Sequence, residues 1–236
     1  LQLANQQWEQ ALATLRHLQD LAPRHPYVLK LLMKLYQQVR DWPQLLTLLP
    51  DLKRNNVVSL QEFQALELNT HLQAMSDLEK QNQPAAVNTL FHQMPKNLRT
   101  NPEVIYAYAR FLLRTKDYKS AEELLRRSIR KEFTPAFIEL YSLLPGTAQQ
   151  LAFTESLLKK QPHSAALFLS LGRQCIAQHL WGNAKNYLEQ SIQLDPSPIA
   201  YHELGTLYER LNEPLMACER YKKGLELMVP QPDTFV

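Results

Sequence analysis

The fold is decided by residues 165–196, AALFLSLGRQCIAQHLWGNAKNYLEQSIQLDP, whose pattern returns along the chain. Small residues recur in three stretches at a spacing of 12 positions: Ala109 and Ala121, Gly172 and Ala184, Gly205 and Ala217. The last two pairs are offset by 33 positions. A period of this length is typical of stacked structural units, each of which buries its apolar face against the next.

The composition of the 236 residues predicts helices and no sheet. Leu occurs 44 times and Gln 22 times, whereas the β-branched residues Val and Ile together occur only 14 times and Gly five times. Strands favour β-branched and aromatic residues, and tight hairpins need Gly at positive φ. The scarcity of Gly also excludes a Gly-rich phosphate-binding loop or a dinucleotide fingerprint, since no two glycines lie close enough to build one.

The small residues indicate how two helices pack together. Ala109, Gly172 and Gly205 fall midway along one predicted helix, where a partner helix must approach closely, and a second small residue follows on the next helix. Prolines then end some second helices, as at Pro162 and Pro196. This helix–turn–helix pattern of about 34 residues resembles the tetratricopeptide repeat (TPR). We therefore predict an all-α fold, a right-handed α-solenoid of TPR helix–turn–helix repeats.

The predicted solenoid covers residues 1–230. It begins with a partial repeat, 1–23, in which Trp8 and Ala11 match a second helix. Six further repeats follow at about 26–58, 59–101, 102–134, 135–164, 165–197 and 198–230. The third has an unusually long first helix from Ser59 to about Gln81, the fifth is shortened, and residues 231–236 are predicted to be a disordered tail.

An aromatic residue or a proline opens the predicted second helices at one repeat position: Trp8, Trp42, Tyr118, Trp181 and Pro214. Their recurrence in register favours packing between repeats over a ligand site. The two cysteines, Cys175 and Cys218, lack the spacing of a zinc site or of a disulfide framework. We interpret both as small core residues of a reduced compartment.

Charge and motifs exclude several classes of function. The formal net charge of +3, from 26 basic and 23 acidic residues, is too small to indicate a nucleic-acid-binding protein. No apolar stretch reaches the roughly 18 residues that a membrane-spanning helix needs. The seven histidines show no HExxH or HxxxH spacing, and no Gly-x-Ser-x-Gly elbow occurs. We predict no enzymatic activity, no cofactor and no metal site.

The first helices of a TPR solenoid line a concave surface that binds partners. First-helix positions 2, 5, 9, 12 and 13 give the cationic and aromatic candidates for partner binding: Lys30, Lys34, Tyr106, Arg110, Arg114, Arg173, His202 and Arg210. This set predicts a groove for an acidic or carboxylate-bearing partner. In a second interpretation, long basic side chains only solubilise the helices. We favour the second interpretation for a flanking run of cations: Lys116, Lys119, Arg126, Arg127, Arg130 and Lys131.

The opening residues indicate which family of TPR proteins the sequence resembles. Residues 3–12 (LANQQWEQAL) run into Pro23-Arg24-His25-Pro26, and residues 41–52 (DWPQLLTLLPDL) follow. This stretch resembles the C-terminal region of the HemY family, proteobacterial TPR proteins associated with late haem biosynthesis. The resemblance implies two membrane-spanning helices before the repeats, an anchor in the inner membrane, and a soluble repeat region on the cytoplasmic face. It assigns no catalytic or binding residue.

Three functions are consistent with these patterns. The preferred one is a non-enzymatic scaffold that binds protein partners, among them enzymes of haem formation, and exposed end helices also allow a homo-oligomer. The second is direct binding of haem or a porphyrin, with His202 or His179 as the iron ligand. The third is a TPR adaptor for another envelope system, such as control of lipopolysaccharide assembly, although no CxxC metal module occurs in the sequence.

Overall fold

The computed structural model describes residues 8–22 and 24–229, and in these ranges all regular secondary structure is α-helical. The described ranges contain fourteen helices: α1 (Trp8–Leu21), α2 (Pro26–Val39), α3 (Trp42–Arg54), α4 (Leu60–Lys80), α5 (Pro84–Gln93), α6 (Lys96–Arg99), α7 (Pro102–Arg114), α8 (Tyr118–Lys131), α9 (Pro135–Tyr141), α10 (Ala148–Leu158), α11 (Ala165–Ala177), α12 (Trp181–Leu194), α13 (Pro198–Arg210) and α14 (Pro214–Glu226). The all-α fold is therefore confirmed. The predicted tail, 231–236, lies outside the described residues.

The chain divides into two compact units, Leu1–Ala107 and Tyr108–Val236. In the first unit, each of the helices α1 to α4 packs against the helix that follows it in sequence. In the second unit, α11 pairs with α12 and α13 with α14, and the two pairs stack through α12 and α13. Helix α11 also contacts both α9 and α13, so the first helices of successive pairs form a layer. None of the described helices is long and apolar enough to cross a membrane.

A residue with positive φ separates the two helices of each pair. It lies two positions before the first residue of the second helix in six places: Arg40, Asn82, Lys116, Gly146, His179 and Asn212. Gly adopts this conformation without strain and Asn tolerates it, whereas other L-residues cost about 1–2 kcal/mol. In five of these places the next residue donates its backbone N–H to the carbonyl oxygen five positions earlier, as Asp41 does to Tyr36, so the same turn recurs. The connection from α9 to α10 differs, since the amides of Gly146 and Thr147 donate to Gln150 Oε1.

Small residues occupy the points where paired helices cross. A Cβ atom added to Gly172 on α11 would lie 2.6 Å from the side chain of Leu188 on α12, which is closer than van der Waals contact allows. A Cβ atom on Gly205 of α13 would likewise collide with the ring of Tyr221 on α14. Their partners on the second helices, Ala184 and Ala217, are buried. The role predicted for the small residues, which is to let paired helices approach closely, is confirmed.

The long first helix predicted for residues 59–81 is present as α4, Leu60–Lys80. A capping box starts it, since the Glu62 amide donates a hydrogen bond to Ser59 Oγ and the Ser59 amide donates one to Glu62 Oε2. Trp42 at the start of α3 is buried, and its Nε1 donates to Asp77 of α4 over 2.8 Å. Trp42 therefore packs between successive helix pairs, as its recurrence in register predicts. At the same repeat position Trp181 is half-buried, whereas Tyr118 and Pro214 are exposed, so the prediction is wrong for these two.

The interpretation of the cysteines as core residues is confirmed for only one of them. Cys175 is buried on α11, and this burial, together with the charge of Glu155, raises the pKa of its thiol to about 11. Cys218 is exposed on α14, so its assignment to the core is wrong. Neighbouring positions of an α-helix point about 100° apart. Because Ala217 is the residue of this pair that is buried, Cys218 is turned towards solvent.

The close crossing of α11 and α12 can be tested with two Gly→Ala substitutions. Gly172→Ala should lower the free energy of unfolding by about 1–3 kcal/mol, because Leu188 must move to admit the methyl group. Gly182→Ala is the matched control, since a Cβ atom there meets nothing within 4 Å. Because Gly182 is the second residue of α12 and not a mid-helix residue, this substitution should raise the free energy of unfolding by less than about 1 kcal/mol. Urea unfolding followed by circular dichroism measures both. Equal stabilisation by the two substitutions would contradict the crossing.

Candidate protein-binding surface

The predicted partner-binding residues lie on four helices. Lys30 and Lys34 are on α2, Tyr106, Arg110 and Arg114 on α7, Arg173 on α11, and His202 and Arg210 on α13. All of them are exposed except Arg173, which is half-buried. Lys30, Lys34 and Tyr106 belong to the first compact unit, and the other five belong to the second. That all eight line one groove stays a prediction.

Arg173 is held by hydrogen bonds to two neighbouring first helices. Its Nε donates to Glu203 Oε1 of α13 over 2.8 Å, and its Nη1 donates to Ser142 Oγ, which follows α9, also over 2.8 Å. The side chains of Arg173 and Glu203 are only 19% and 21% exposed. A half-buried, hydrogen-bonded ion pair is less screened than a surface pair. Arg173 is therefore a positioning residue that joins α9, α11 and α13, and its role in partner binding stays a prediction.

A related electrostatic interaction occurs in the first unit. Hydrogen bonds from Ser59, assisted by the nearby positive charge of Lys30, hold the pKa of the Glu62 carboxyl below its usual value. Lys30 is on α2 and Glu62 is in the first turn of α4, the next first helix. In both units, a cation on one first helix thus stabilises the charged form of a carboxylate on the next first helix. The sequence contained this signal in Glu62 and Glu203, which follow Lys30 and Arg173 by 32 and 30 positions.

The flanking run of cations is only partly a solvated face. Arg126 is half-buried, forms an ion pair of 2.9 Å with Glu122, and donates from Nε to the hydroxyl of Tyr141. Its guanidinium lies 4.9 Å from the ring centroid of Phe153, and that of Arg130 lies 5.5 Å from the same ring. Arg126 therefore holds α8, α9 and α10 together. The second interpretation, solubilisation, is wrong for this residue because stacking brings aromatic groups against it.

An apolar cavity of about 580 Å³ is lined by residues of both α13 and α14. Pro198, Ile199 and His202 of α13 line it together with Tyr221 and Leu225 of α14 and Met228 beyond its end. The rings of His202 and Tyr221 lie 5.6 Å apart. His202, predicted as part of a cationic groove, is thus surrounded mainly by apolar side chains.

The comparison with known proteins gives relatives but no matching protein-family model. HemY of Escherichia coli strain K12 is 22% identical to this chain over 232 residues, which cover 96% of the chain and 58% of HemY. HemY of Shigella flexneri gives the same values. The predicted resemblance to HemY is confirmed. The chain spans less than two thirds of the length of these relatives.

One solved structure supports the TPR assignment. TTC0263, a thermophilic TPR protein of Thermus thermophilus, matches 67% of this chain and 90% of its own chain, with a TM-score of 0.53 and 22% sequence identity. MamA of Desulfovibrio magneticus RS-1 matches 69% of this chain and 95% of its own, with a TM-score of 0.44 and 17% identity. The likeness to TTC0263 shows the fold, so the predicted TPR α-solenoid class is confirmed.

Residues 8–22 and 24–229 bring together no group of three or more His, Cys, Asp or Glu side chains that could hold a metal ion. The chemistry that the surface does offer is that of exposed cations on first helices and of an apolar cavity. Such surfaces bind charged or apolar groups of a partner.

The positioning role of Arg173 can be tested by a double-mutant cycle. Arg173→Met should lower the free energy of unfolding by about 1–3 kcal/mol, because Glu203 is left half-buried without its donor. Arg110→Met, at an exposed arginine, should change it by less than about 0.5 kcal/mol. Arg173→Met and Glu203→Gln should be coupled by at least about 0.5 kcal/mol in urea unfolding. Additive effects would show that the pair does not join α11 to α13.

Proposed function

We propose that the chain is a non-enzymatic scaffold that binds protein partners through the exposed faces of its first helices. The contact of α11 with both α9 and α13 supports this proposal most directly, because it makes a continuous layer of first helices in the second unit. The hydrogen bonds of Arg173 to Glu203 and Ser142 fix that layer. A surface that is already ordered loses little conformational entropy when a partner binds.

Acidic segments of partner proteins are the ligands that this surface favours. Lys34 on α2, Arg110 on α7 and Arg210 on α13 are exposed cations on first helices, whereas Arg173 is paired with a carboxylate within the fold. Exposed cations attract acidic partners over distances of about a Debye length, roughly 8–10 Å at ordinary ionic strength. Binding should therefore weaken as the salt concentration rises.

The similarity to HemY supports a more specific version of the proposal. The chain matches HemY over 96% of its own length. We infer that the full protein is anchored in the inner membrane by segments outside this chain, that the repeats lie on the cytoplasmic face, and that the partners are enzymes of haem formation. In this arrangement the scaffold keeps successive enzymes close together, which raises their effective concentration for one another.

Site-specific photo-crosslinking of the full-length protein in its own membrane tests this function. A crosslinking amino acid at Lys34 or Arg110 should capture enzymes of haem formation, because both positions are exposed on first helices. Lys96 on α6 and Arg127 on the second helix α8 are exposed controls and should not capture them.

Charge reversal provides the complementary measurement. Lys34→Glu and Arg110→Glu should each reduce the yield of the captured enzyme several-fold when the crosslinker is placed at a neighbouring exposed position. Lys96→Glu and Arg127→Glu should leave the yield unchanged. Equal capture at all four positions, or capture that is insensitive to charge at first helices, would contradict binding through this face.

A second candidate function, binding of haem or a porphyrin, is favoured by one observation. His202 lies in an apolar cavity of about 580 Å³ beside Tyr221 and Met228. The imidazole of His202 would hold the haem iron, and the haem would supply redox or ligand-binding chemistry. Among the described residues, no Lys or Arg lines the cavity to pair with propionates, so the fit is incomplete. The scaffold remains the preferred function.

Titration with haem, followed by the haem absorption band, shows which of the two candidate histidines binds the iron. His202→Ala should abolish a saturable band shift if the cavity binds haem, while His179→Ala, at a turn residue outside the cavity, should leave it intact. A band shift that is equal in both variants would reflect unspecific adsorption and would exclude the cavity as a haem site.

A further inference from the structure

Helix α13 has two sides with different surroundings. One side packs on α11 and α12, where Ala200, Leu204 and Leu207 are buried in the core of the second unit. The other side, with Pro198, Ile199 and His202, lines the apolar cavity that α13 shares with α14. The cavity therefore lies along residues of α13 that are not part of the core shared with α11 and α12.

The pairs α11–α12 and α13–α14 cross at equivalent residues, 33 positions apart. Ser191 Oγ of α12 donates a hydrogen bond of 2.9 Å to the Ala165 carbonyl oxygen of α11. At the matching position on α14, a Cβ atom on Gly224 would lie 3.3 Å from the Pro198 carbonyl oxygen of α13. Since the two crossings match, the two pairs present the same kind of groove on the same side.

The groove of the pair α11–α12 is covered by α13. Its equivalent on the pair α13–α14 is the apolar cavity described above, and this groove is open. Leu169 of α11 is only 7% exposed and belongs to the same core cluster as Leu204 of α13. Its equivalent 33 positions later is His202, which is exposed. Ile199, Leu225 and Met228 around it are 51%, 62% and 67% exposed. Several exposed apolar side chains that lie next to one another mark an interaction site.

We propose that the groove between α13 and α14 binds an amphipathic α-helix of another polypeptide, in the way that the groove of α11–α12 binds α13. The bound helix should carry a small residue and two leucines at i, i+4 and i+7, as α13 does with Ala200, Leu204 and Leu207. This site goes beyond the proposed binding of acidic segments. Its described lining includes no Lys or Arg, and its occupant is recognised by apolar packing.

The α13 sequence itself serves as the probe. A labelled peptide with the sequence of residues 197–210, SPIAYHELGTLYER, should bind the full chain saturably in fluorescence anisotropy. Leu225→Asp in the chain should weaken binding at least tenfold, because it places a carboxylate in the apolar groove. Leu215→Asp is the matched control on the same helix, since Leu215 is 86% exposed and does not line the cavity, and it should leave binding unchanged.

Three further outcomes decide the occupant. Peptide binding that Leu225→Asp does not change, or the absence of binding, would overturn the groove as a helix site. Self-association of the chain that Leu225→Asp abolishes in sedimentation would assign the groove to a second copy instead. If a chain ending at residue 229 bound the peptide and the full chain did not, the groove would belong to residues 230–236. A failure of charge-dependent crosslinking at Lys34 and Arg110 would contradict the proposed function and would leave the helix-binding groove untouched, so the two proposals fail separately.

Discussion

The close crossing of the helices in the pairs α11–α12 and α13–α14 is the constraint on which the second unit depends. At Gly172 and Gly205 the neighbouring helix lies so near that no Cβ atom fits beside Leu188 or Tyr221. Burying a large side chain against a glycine removes water from both helices and fills the space between them at the density of a protein interior. A pair packed in this way still has an apolar side, which the next pair must cover.

Stacking of such pairs determines which charged residues can meet a partner. It brings α11 against α9 and α13, and Arg173 then pairs with Glu203 and Ser142 instead of facing solvent. In the same way, Arg126 is enclosed by Tyr141 and Phe153. Other cations on first helices, such as Lys34 and Arg110, stay exposed after stacking and are available to an acidic partner.

The second unit therefore offers two surfaces with different chemistry. The faces of the first helices carry exposed cations, which we propose bind acidic segments, whereas the open groove of α13–α14 is apolar, and we propose that it binds a helix. Similarity to HemY over 96% of the chain supports a scaffold that uses such surfaces to gather partners. Under this proposal one repeat array holds two partners at once, because surfaces that recognise different chemical groups do not compete for the same partner.

The sequence by itself determined the helices, the long helix α4, the packing of Trp42 and the crossings at Gly172 and Gly205, because these follow from short-range periodicity of small and large residues. Only the tertiary structure decided that Arg173 is paired, that His202 lies in an apolar cavity, and that Cys218 is exposed. The positive-φ residues before the second helices could not be predicted from the composition either, because five of these six residues are not Gly. The pairing of Arg173 depends on side chains 30 and 31 positions away that meet it only when whole helix pairs stack. The spacing of Arg173 and Glu203 by about one repeat is visible in the sequence, but the spacing alone does not determine whether the two side chains are in contact.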